Sequence, residues 1–330
     1  VVLPVVLNHR GISNESAAAS AAKKDADYEL QQTLGEGGRG VVHAARQKSM
    51  DRPVAIKVLK SRAARLESSR QAFISEAIIT GGLDHPNIVP IYEVGKQSND
   101  ALFYAMKQVE GVEWKDRLPQ LSLTENLDIL LRVCDAVAFG HARFIIHRDL
   151  KPANVMLGSY GEVLVMDWGL AMPTSEHPQR STFPDAQRGG TPHYMAPEMT
   201  GKPMTDVDHR CDVYLLGAIL FEIITGKAPH VLDSPPANRR EHVNACLAAV
   251  AENYIAPTDV TGDLMHIARK ALSTDPADRY QQVTDFQSAL RKYLAHLESI
   301  DLTARAVERL KSAQDTGAYD EFSRARFGFE

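Results

Sequence analysis

Cysteine is scarce in this 330-residue chain: Cys134, Cys211 and Cys246 are scattered, with no Cys-x-x-Cys pair among them. That argues against a disulfide frame or a zinc site, and suits buried apolar thiols in a reducing compartment. Long apolar runs are missing too. The longest, Val213 to Ile224, has Asp212 and Glu222 at its ends and is too short to span a bilayer, so no membrane segment is expected. An excess of positive charge is absent as well. Thirty-seven Lys and Arg stand against 42 Asp and Glu, a net charge of −5, which gives nucleic acid no electrostatic reason to be the main partner. No secretory leader is evident, and the expected location is cytoplasmic. The sequence begins on Val1 and not Met, as expected of a piece of something longer. What remains, 44% hydrophobic and 24% charged, is a globular composition with chain enough for one large domain or two lobes.

Chemistry concentrates in His147-Arg148-Asp149-Leu150-Lys151-Pro152-Ala153-Asn154, with Asp167-Trp168-Gly169 shortly downstream. Asp149, Asn154, Asp167 and Lys151 bring oxygen donors and an ammonium together, the equipment for moving a phosphoryl group. Between them, Val155-Met156-Leu157 and Val163-Leu164-Val165-Met166 flank Gly158-Ser159-Tyr160-Gly161, which predicts a β-hairpin with a polar group at each base. The spacing returns Asn154 and Asp167 to one end of a two-stranded ribbon, and both carry the hard oxygen that Mg²⁺ prefers.

This octapeptide with its downstream Asp-aromatic-Gly resembles the catalytic and metal-binding loops of the eukaryotic-type protein kinases. The resemblance implies the roles. Asp149 accepts the proton of an attacking hydroxyl, Lys151 neutralises charge on the phosphate in flight, and Asn154 and Asp167 hold Mg²⁺, with Mn²⁺ as the alternative ion.

The other parts of that family stand in order around it. Tyr28 to Leu34 leads into Gly35-Glu36-Gly37-Gly38-Arg39-Gly40 and then Val41-Val42-His43-Ala44-Ala45. A dinucleotide fingerprint would be followed by a helix; strand, glycine loop, strand is instead a flap that can close over phosphates. Pro53-Val54-Ala55-Ile56-Lys57-Val58-Leu59 is an apolar strand with one interior cation, and a buried lysine needs an anionic partner. ATP phosphates and Glu76, on a helix predicted over 70–81, are the candidates. By the same resemblance Val42, Ala55 and Met156 belong to the nucleotide pocket, Met106 is the gatekeeper, Lys107-Gln108-Val109 is the hinge, and Glu113 reaches the ribose. Lys107 departs from the acidic residue usual there.

Leu127, Leu130, Leu131, Cys134, Val137 and Ala138 predict an amphipathic helix over 124–142, capped by Thr124. Residues 170–188 turn polar and proline-rich, and Gly190-Thr191-Pro192-His193-Tyr194-Met195-Ala196-Pro197-Glu198 follows. The resemblance makes this an activation segment. Arg148 is suited to hold a phosphate on it, so autophosphorylation at Thr174, Ser175, Ser181 or Thr182 is expected, and Thr191 is expected to be a structural hydroxyl near Asp149 and Lys151. Asp212 opens a helix hydrophobic nearly all round and is expected to support the loop before it. Arg279 is the expected partner of Glu198.

The resemblance covers about residues 28 to 295, and Lys151 with the Gly-Thr-Pro-x-Tyr stretch is similar to serine/threonine kinases. Ile79-Thr80-Gly81, Asp84-His85-Pro86-Asn87-Ile88-Val89-Pro90-Ile91-Tyr92 and Asp167-Trp168-Gly169-Leu170-Ala171 are similar to bacterial members. Trp168, where Phe is usual, keeps an aromatic and enlarges its site. The implied fold is α+β and bilobal, with a β-rich N-lobe over 28–109 and a larger helical C-lobe over 110–296. A flexible tail with an apolar start is expected over 1–27. A helical extension is expected over 297–330, with Ile300, Ala304, Val307 and Leu310 on one helix and Tyr319, Phe322 and Phe327 on a second. The implied activity is transfer of the ATP γ-phosphoryl group to Ser or Thr of a protein, a second copy of this chain in trans included. A pseudokinase scaffold and a small-molecule phosphotransferase are the alternatives. The first usually lacks one of Lys57, Asp149 or Asp167, and the second would not carry Ala-Pro-Glu with Arg279.

Overall fold

The computed structural model describes residues 7–14, 27–97, 99–185, 188–201, 203–232 and 238–316. The first lobe is a seven-stranded sheet. Its strands are β1 (Asn8–Arg10), β2 (Ile12–Asn14), β3 (Tyr28–Glu36), β4 (Gly40–Gln47), β5 (Arg52–Leu59), β6 (Ile91–Gln97) and β7 (Leu102–Lys107), in the order β1-β6-β7-β5-β4-β3-β2. Between β5 and β6 come a single turn, α1 (Ser61–Ala64), and the long α2 (Glu67–Gly81).

Strand β5 is buried on both faces, which is why its sequence does not alternate with polar residues. Ala55 and Leu59 pack with Phe73 and Ala77 of α2, while Val54 and Ile56 pack with Tyr28, Ala45 and Phe103 on the opposite side. Period two therefore places Lys57 on the α2 face, with Ala55 and Leu59.

Residues 8–14, expected to belong to a flexible tail, are strands. Arg10 donates to Glu93 Oε1 at 2.6 Å, the Tyr28 hydroxyl donates to Glu93 Oε2 at 2.8 Å, and the Gly11 amide donates to Asp27 Oδ2 at 3.0 Å. These contacts hold β1 parallel to β6 and β2 parallel to β3, on opposite edges of the sheet, with Gly11 alone between them. Polar anchors separated by as many as 83 residues leave no local signal. The apolar opening at residues 1–6 and the stretch 15–26 lie outside the described residues.

The chain passes to the second lobe through β8 (Gly111–Glu113) and α3 (Trp114–Arg117). Helix α4 (Leu123–Ala142) is capped by Ser122 and not Thr124: Ser122 and Glu125 form a reciprocal capping box two residues earlier. Then follow β9 (Ile145–Ile146), β10 (Val155–Gly158), β11 (Val163–Val165), β12 (Met172–Pro173), α5 (Glu198–Gly201), α6 (Arg210–Thr225), α7 (Arg239–Ala251), α8 (Asp263–Ala271) and α9 (Val283–Thr316). Every residue of α6 from Cys211 to Phe221 is buried, and one continuous apolar core gathers α4, α6, α8 and the start of α9 around it.

The expected boundary at 296/297 falls inside α9, a single helix of 34 residues. No glycine or proline interrupts residues 283–316, so nothing in the chain breaks the helix there. It continues to Thr316, the last of the described residues. Tyr319, Phe322 and Phe327 lie outside the described residues. No helix among the described residues is long and apolar enough to cross a membrane.

Candidate active site

The expected hairpin forms: Val155 pairs with Val165, Met156 with Leu164 and Leu157 with Val163. Its base is closed by the Met166 amide donating to the Asn154 carbonyl at 2.8 Å, so Asn154 and Asp167 come to the same end and line one cavity.

The 147–154 loop is hung on α6. The amides of His147 and Arg148 each donate to the buried Asp212 carboxylate at 2.8 Å, and His141 of α4 lies 2.8 Å from it. Burial alone would push the Asp212 carboxyl up; the bonds from His141 and His147 outweigh it and hold the pKa below its ordinary value. Burial keeps His147 neutral by lowering its pKa, despite Asp212 and Asp149 nearby. Arg148 and Asp167 both adopt positive φ, +67° and +50°. Such backbone persists only where surrounding bonds fix it.

Asp149 sits in a closed set of bonds. Lys151 Nζ donates to Asp149 Oδ2 at 2.9 Å and to the Thr191 hydroxyl oxygen at 2.6 Å, and that hydroxyl donates to Asp149 Oδ1 at 2.8 Å. Asn154 Nδ2 donates to the Asp149 carbonyl at 2.7 Å and to Oδ2 at 3.1 Å. The Asn154 amide nitrogen is thereby committed, which leaves its oxygen for a cation.

Lys57 finds its anion in Glu76. Nζ donates to Glu76 Oε1 at 2.6 Å and lies 3.9 Å from Asp167 Oδ1. Burial would lower the lysine pKa, but Glu76 and Asp167 more than offset it, and the ammonium stays charged. The Tyr104 hydroxyl donates to the same Glu76 oxygen at 2.7 Å. Nothing in the spacing of β7 marked Tyr104 for this; only its facing strand, with Lys57 opposite Tyr104 in register, brings it there.

Above these groups the glycine loop covers a cavity of about 540 Å³, lined by Gly35, Glu36, Gly37, Gly38, Arg39, Gly40, Val42, Lys57, Glu76, Met106, Glu113, Asp149, Asn154, Met156 and Asp167 among others. That lies within the ordinary size of a small-molecule site. A Cβ at Gly35 or Gly38 would meet nothing within 4 Å, so their backbone is open to a ligand. Gly40 is needed for another reason: its Cβ would stand 3.1 Å from the Val58 carbonyl and 3.2 Å from Lys57 Cγ. The loop is tied down by Lys60, which donates to the Gly37 carbonyl at 2.6 Å and pairs with Glu36 at 2.7 Å. Oxygen donors from Asn154 and Asp167 below, an ammonium beside them and open glycine backbone above fit a metal–triphosphate.

Three expected pocket residues stand outside this lining. Ala55 is buried against α2, Lys107 is drawn into an ion pair with Glu162, and Val109 is half-buried beyond it. Thr80, Val89, Ile91, Tyr104 and Ala153 also line the cavity.

The structure bears on two expectations for the 170–188 segment. Arg148, expected to hold a phosphate there, is buried, and its Nε donates to the Leu170 carbonyl at 2.8 Å. The Thr174 hydroxyl oxygen is buried without a partner, whereas Ser175 and Ser181 are exposed. Beyond it, Arg279 and Glu198 form the expected pair with two parallel bonds of 2.7 and 2.8 Å, both side chains at most 5% exposed.

Residues 28–293 match the family model of the protein kinase domain. Among curated proteins, "Serine/threonine-protein kinase PknB" of Mycolicibacterium smegmatis is 37% identical over 273 residues, covering 80% of this chain and 42% of its own length. PknB of Mycobacterium leprae is 35% identical with the same coverage. "Serine/threonine-protein kinase PknD" of Protochlamydia amoebophila is 32% identical over 302 residues, covering 81% of this chain and 30% of its own. The chain thus spans less than half the length of these curated relatives.

Proposed function

This chain belongs to the protein kinase family, and on that footing we propose that it is an ATP-dependent serine/threonine protein kinase of the bacterial, eukaryotic-like type, working with Mg²⁺. The observation that carries the reading is convergence. Lys57, Glu76, the Asp149–Lys151–Asn154 loop and Asp167 come from four separate stretches and reach one cavity or a direct bond to its lining.

The division of labour is the one the family resemblance implies, and the geometry supports it. Lys57, kept charged and aimed by Glu76, is the fixed cation for the nucleotide phosphates. Asp149 accepts the proton of the acceptor hydroxyl, its carboxylate oriented by Thr191, Lys151 and Asn154. Lys151 supplies charge compensation beside the transferring group. Asn154 and Asp167 would hold the metal, which would supply positive charge beside the phosphates. Little covalent work is asked of the protein beyond positioning and electrostatics.

The test is γ-phosphate transfer to Ser-, Thr- and Tyr-containing peptides, alongside nucleotide binding by thermal shift. The wild-type chain is expected to label Ser or Thr peptides with Mg²⁺. Asp149→Asn is expected to keep nucleotide binding and lose about 10²- to 10⁴-fold of the transfer rate, the usual contribution of a positioned base. Binding without any transfer in the wild type would make the chain a scaffold and end the enzyme reading.

A further inference from the structure

Away from the cleft, His193, His242 and Cys246 bring one ligand atom each to a common point, all within 4.8 Å of one another. His242 and Cys246 lie four residues apart on one face of α7. His193 lies in the 190–194 stretch, 53 residues before Cys246. Cys246 Sγ is 3.6 Å from His242 Nε2 and 3.9 Å from His193 Nε2, and the two imidazole centroids are 6.1 Å apart. Both rings are half-buried and Cys246 is 2% exposed.

These lengths can be set against a tetrahedral zinc site. Zn–S near 2.3 Å and Zn–N near 2.0–2.1 Å place the S···N edges at about 3.6 Å and the N···N edge at about 3.4 Å. The Cys246–His242 edge already has that length. The Cys246–His193 edge must close by a few tenths of an ångström and the His193–His242 edge, within 4.8 Å, by up to about 1.4 Å, which rotation of the side chains can supply. The 3.6 and 3.9 Å separations also suit hydrogen bonds to sulfur, but a thiol has one proton and can donate to only one of the two imidazoles at a time. The donor set contains no carboxylate. Two imidazoles and a thiolate select a zinc-class ion over Mg²⁺ or Ca²⁺.

We propose that His193, His242 and Cys246 form a three-ligand site for a zinc-class divalent ion that pins the 190–194 stretch to α7. Binding forms one bond to each of two imidazole nitrogens and to the Cys246 sulfur, whose proton leaves to solvent; the fourth position goes to water or an incoming group. Its place gives it a consequence. Two residues before His193, the Thr191 hydroxyl holds Asp149, so an ion here would steady the loop that orients that carboxylate. The composition argued against a zinc site because the ligands are assembled by the fold and not by a Cys-x-x-Cys spacing. The site stands or falls separately from phosphoryl transfer.

The experiment uses the full chain stripped with chelator and titrated with Co²⁺ under excess Mg²⁺, which occupies the oxygen donors of the cleft. About one equivalent of cobalt is expected to bind with a thiolate-to-cobalt charge-transfer band, displaced by zinc. Cys134→Ser should retain the band and Cys246→Ser should lose it. His242→Gln should weaken cobalt binding by about tenfold or more, at least what loss of an outer-shell partner costs. Circular dichroism establishes that each variant is folded. Absence of the band in the wild-type chain overturns the site, as does its survival in Cys246→Ser. If Cys246→Ser does not fold, undiminished binding by His242→Gln overturns it instead.

Discussion

The Cβ that Gly140 lacks would stand 3.2 Å from the indole of Trp168. Helix α4 thus leaves a notch for the larger ring at the position after Asp167. The indole is 1% exposed, packs at 4.6 Å on His147, and buries its N–H without a partner.

Gly140→Ala is therefore expected to overpack the notch by about 1–3 kcal/mol, against about 1 kcal/mol gained in helix propensity. In a Trp168→Phe background the overpacking disappears and the propensity gain remains, so the sign of the substitution reverses. A double-mutant cycle by urea unfolding measures this, and simple additivity of the two changes would contradict it.

Removing either member of the Glu198–Arg279 pair is expected to cost about 3–5 kcal/mol, because the survivor is left as a buried, uncompensated charge. Arg279→Ala should cost more than Glu198→Ala, since the guanidinium also donates to the carbonyls of Ser273, Thr274 and Arg210. Denaturant titration of both variants decides the ranking.

Thr191→Val removes the hydroxyl that links Asp149 to Lys151, and Thr191→Ser keeps it. The first is expected to lower the transfer rate by about tenfold to a hundredfold, the worth of one hydrogen bond to a charged group, with nucleotide affinity unchanged. The second should stay near wild type. Equal losses in both would assign the effect to packing of the threonine methyl.

Burial lowers the pKa of His147, His177, His193 and His230. A histidine whose folded pKa is depressed leaves stability intact above its unfolded value, near 6.5. Below that the unfolded chain takes up protons that the folded chain refuses, and stability is lost as the pH falls towards the folded values. Thermal unfolding midpoints should therefore drop between about pH 7.5 and pH 5.5. A flat or rising profile over that range would count against buried neutral imidazoles.

Arg10→Ala is expected to cost less than about 1 kcal/mol, because the Arg10–Glu93 pair is partly exposed. Deleting residues 1–14 should cost more, since β1 and β2 leave together with their ladders on β6 and β3. Comparing the two melting temperatures separates the ion pair from the strands.

Much of the cleft could be read from the sequence because its groups are short-range. Asp149, Lys151 and Asn154 share one loop, and the hairpin that returns Asp167 is written in two apolar runs around a glycine-bounded turn. Lys57 was legible as a cation on a strand with no polar face, although its second supporter, Tyr104, came only with strand register. Other features depend on distant contacts and left no local trace. Residues 8–14 looked like tail because their anchors, Asp27, Tyr28 and Glu93, lie far along the chain. The burial of Arg148 and the bond from its Nε to the Leu170 carbonyl have no local signal, because nothing nearby in the sequence announces them. The boundary expected at 296/297 follows the end of the family pattern, whereas Ile300, Ala304, Val307 and Leu310 keep helical spacing and the backbone has no reason to stop.

The seven residues of β1, Gly11 and β2 lend one half to each rim of the sheet. A bare rim is a row of unpaired amides and carbonyls that invites a foreign strand to continue the ladder. Here three residues of each rim, Gly95–Gln97 of β6 and Tyr28–Leu30 of β3, are paired from within the same molecule, by stubs too short to template a long ladder. Losing the segment would lay bare a stretch of both borders in one stroke.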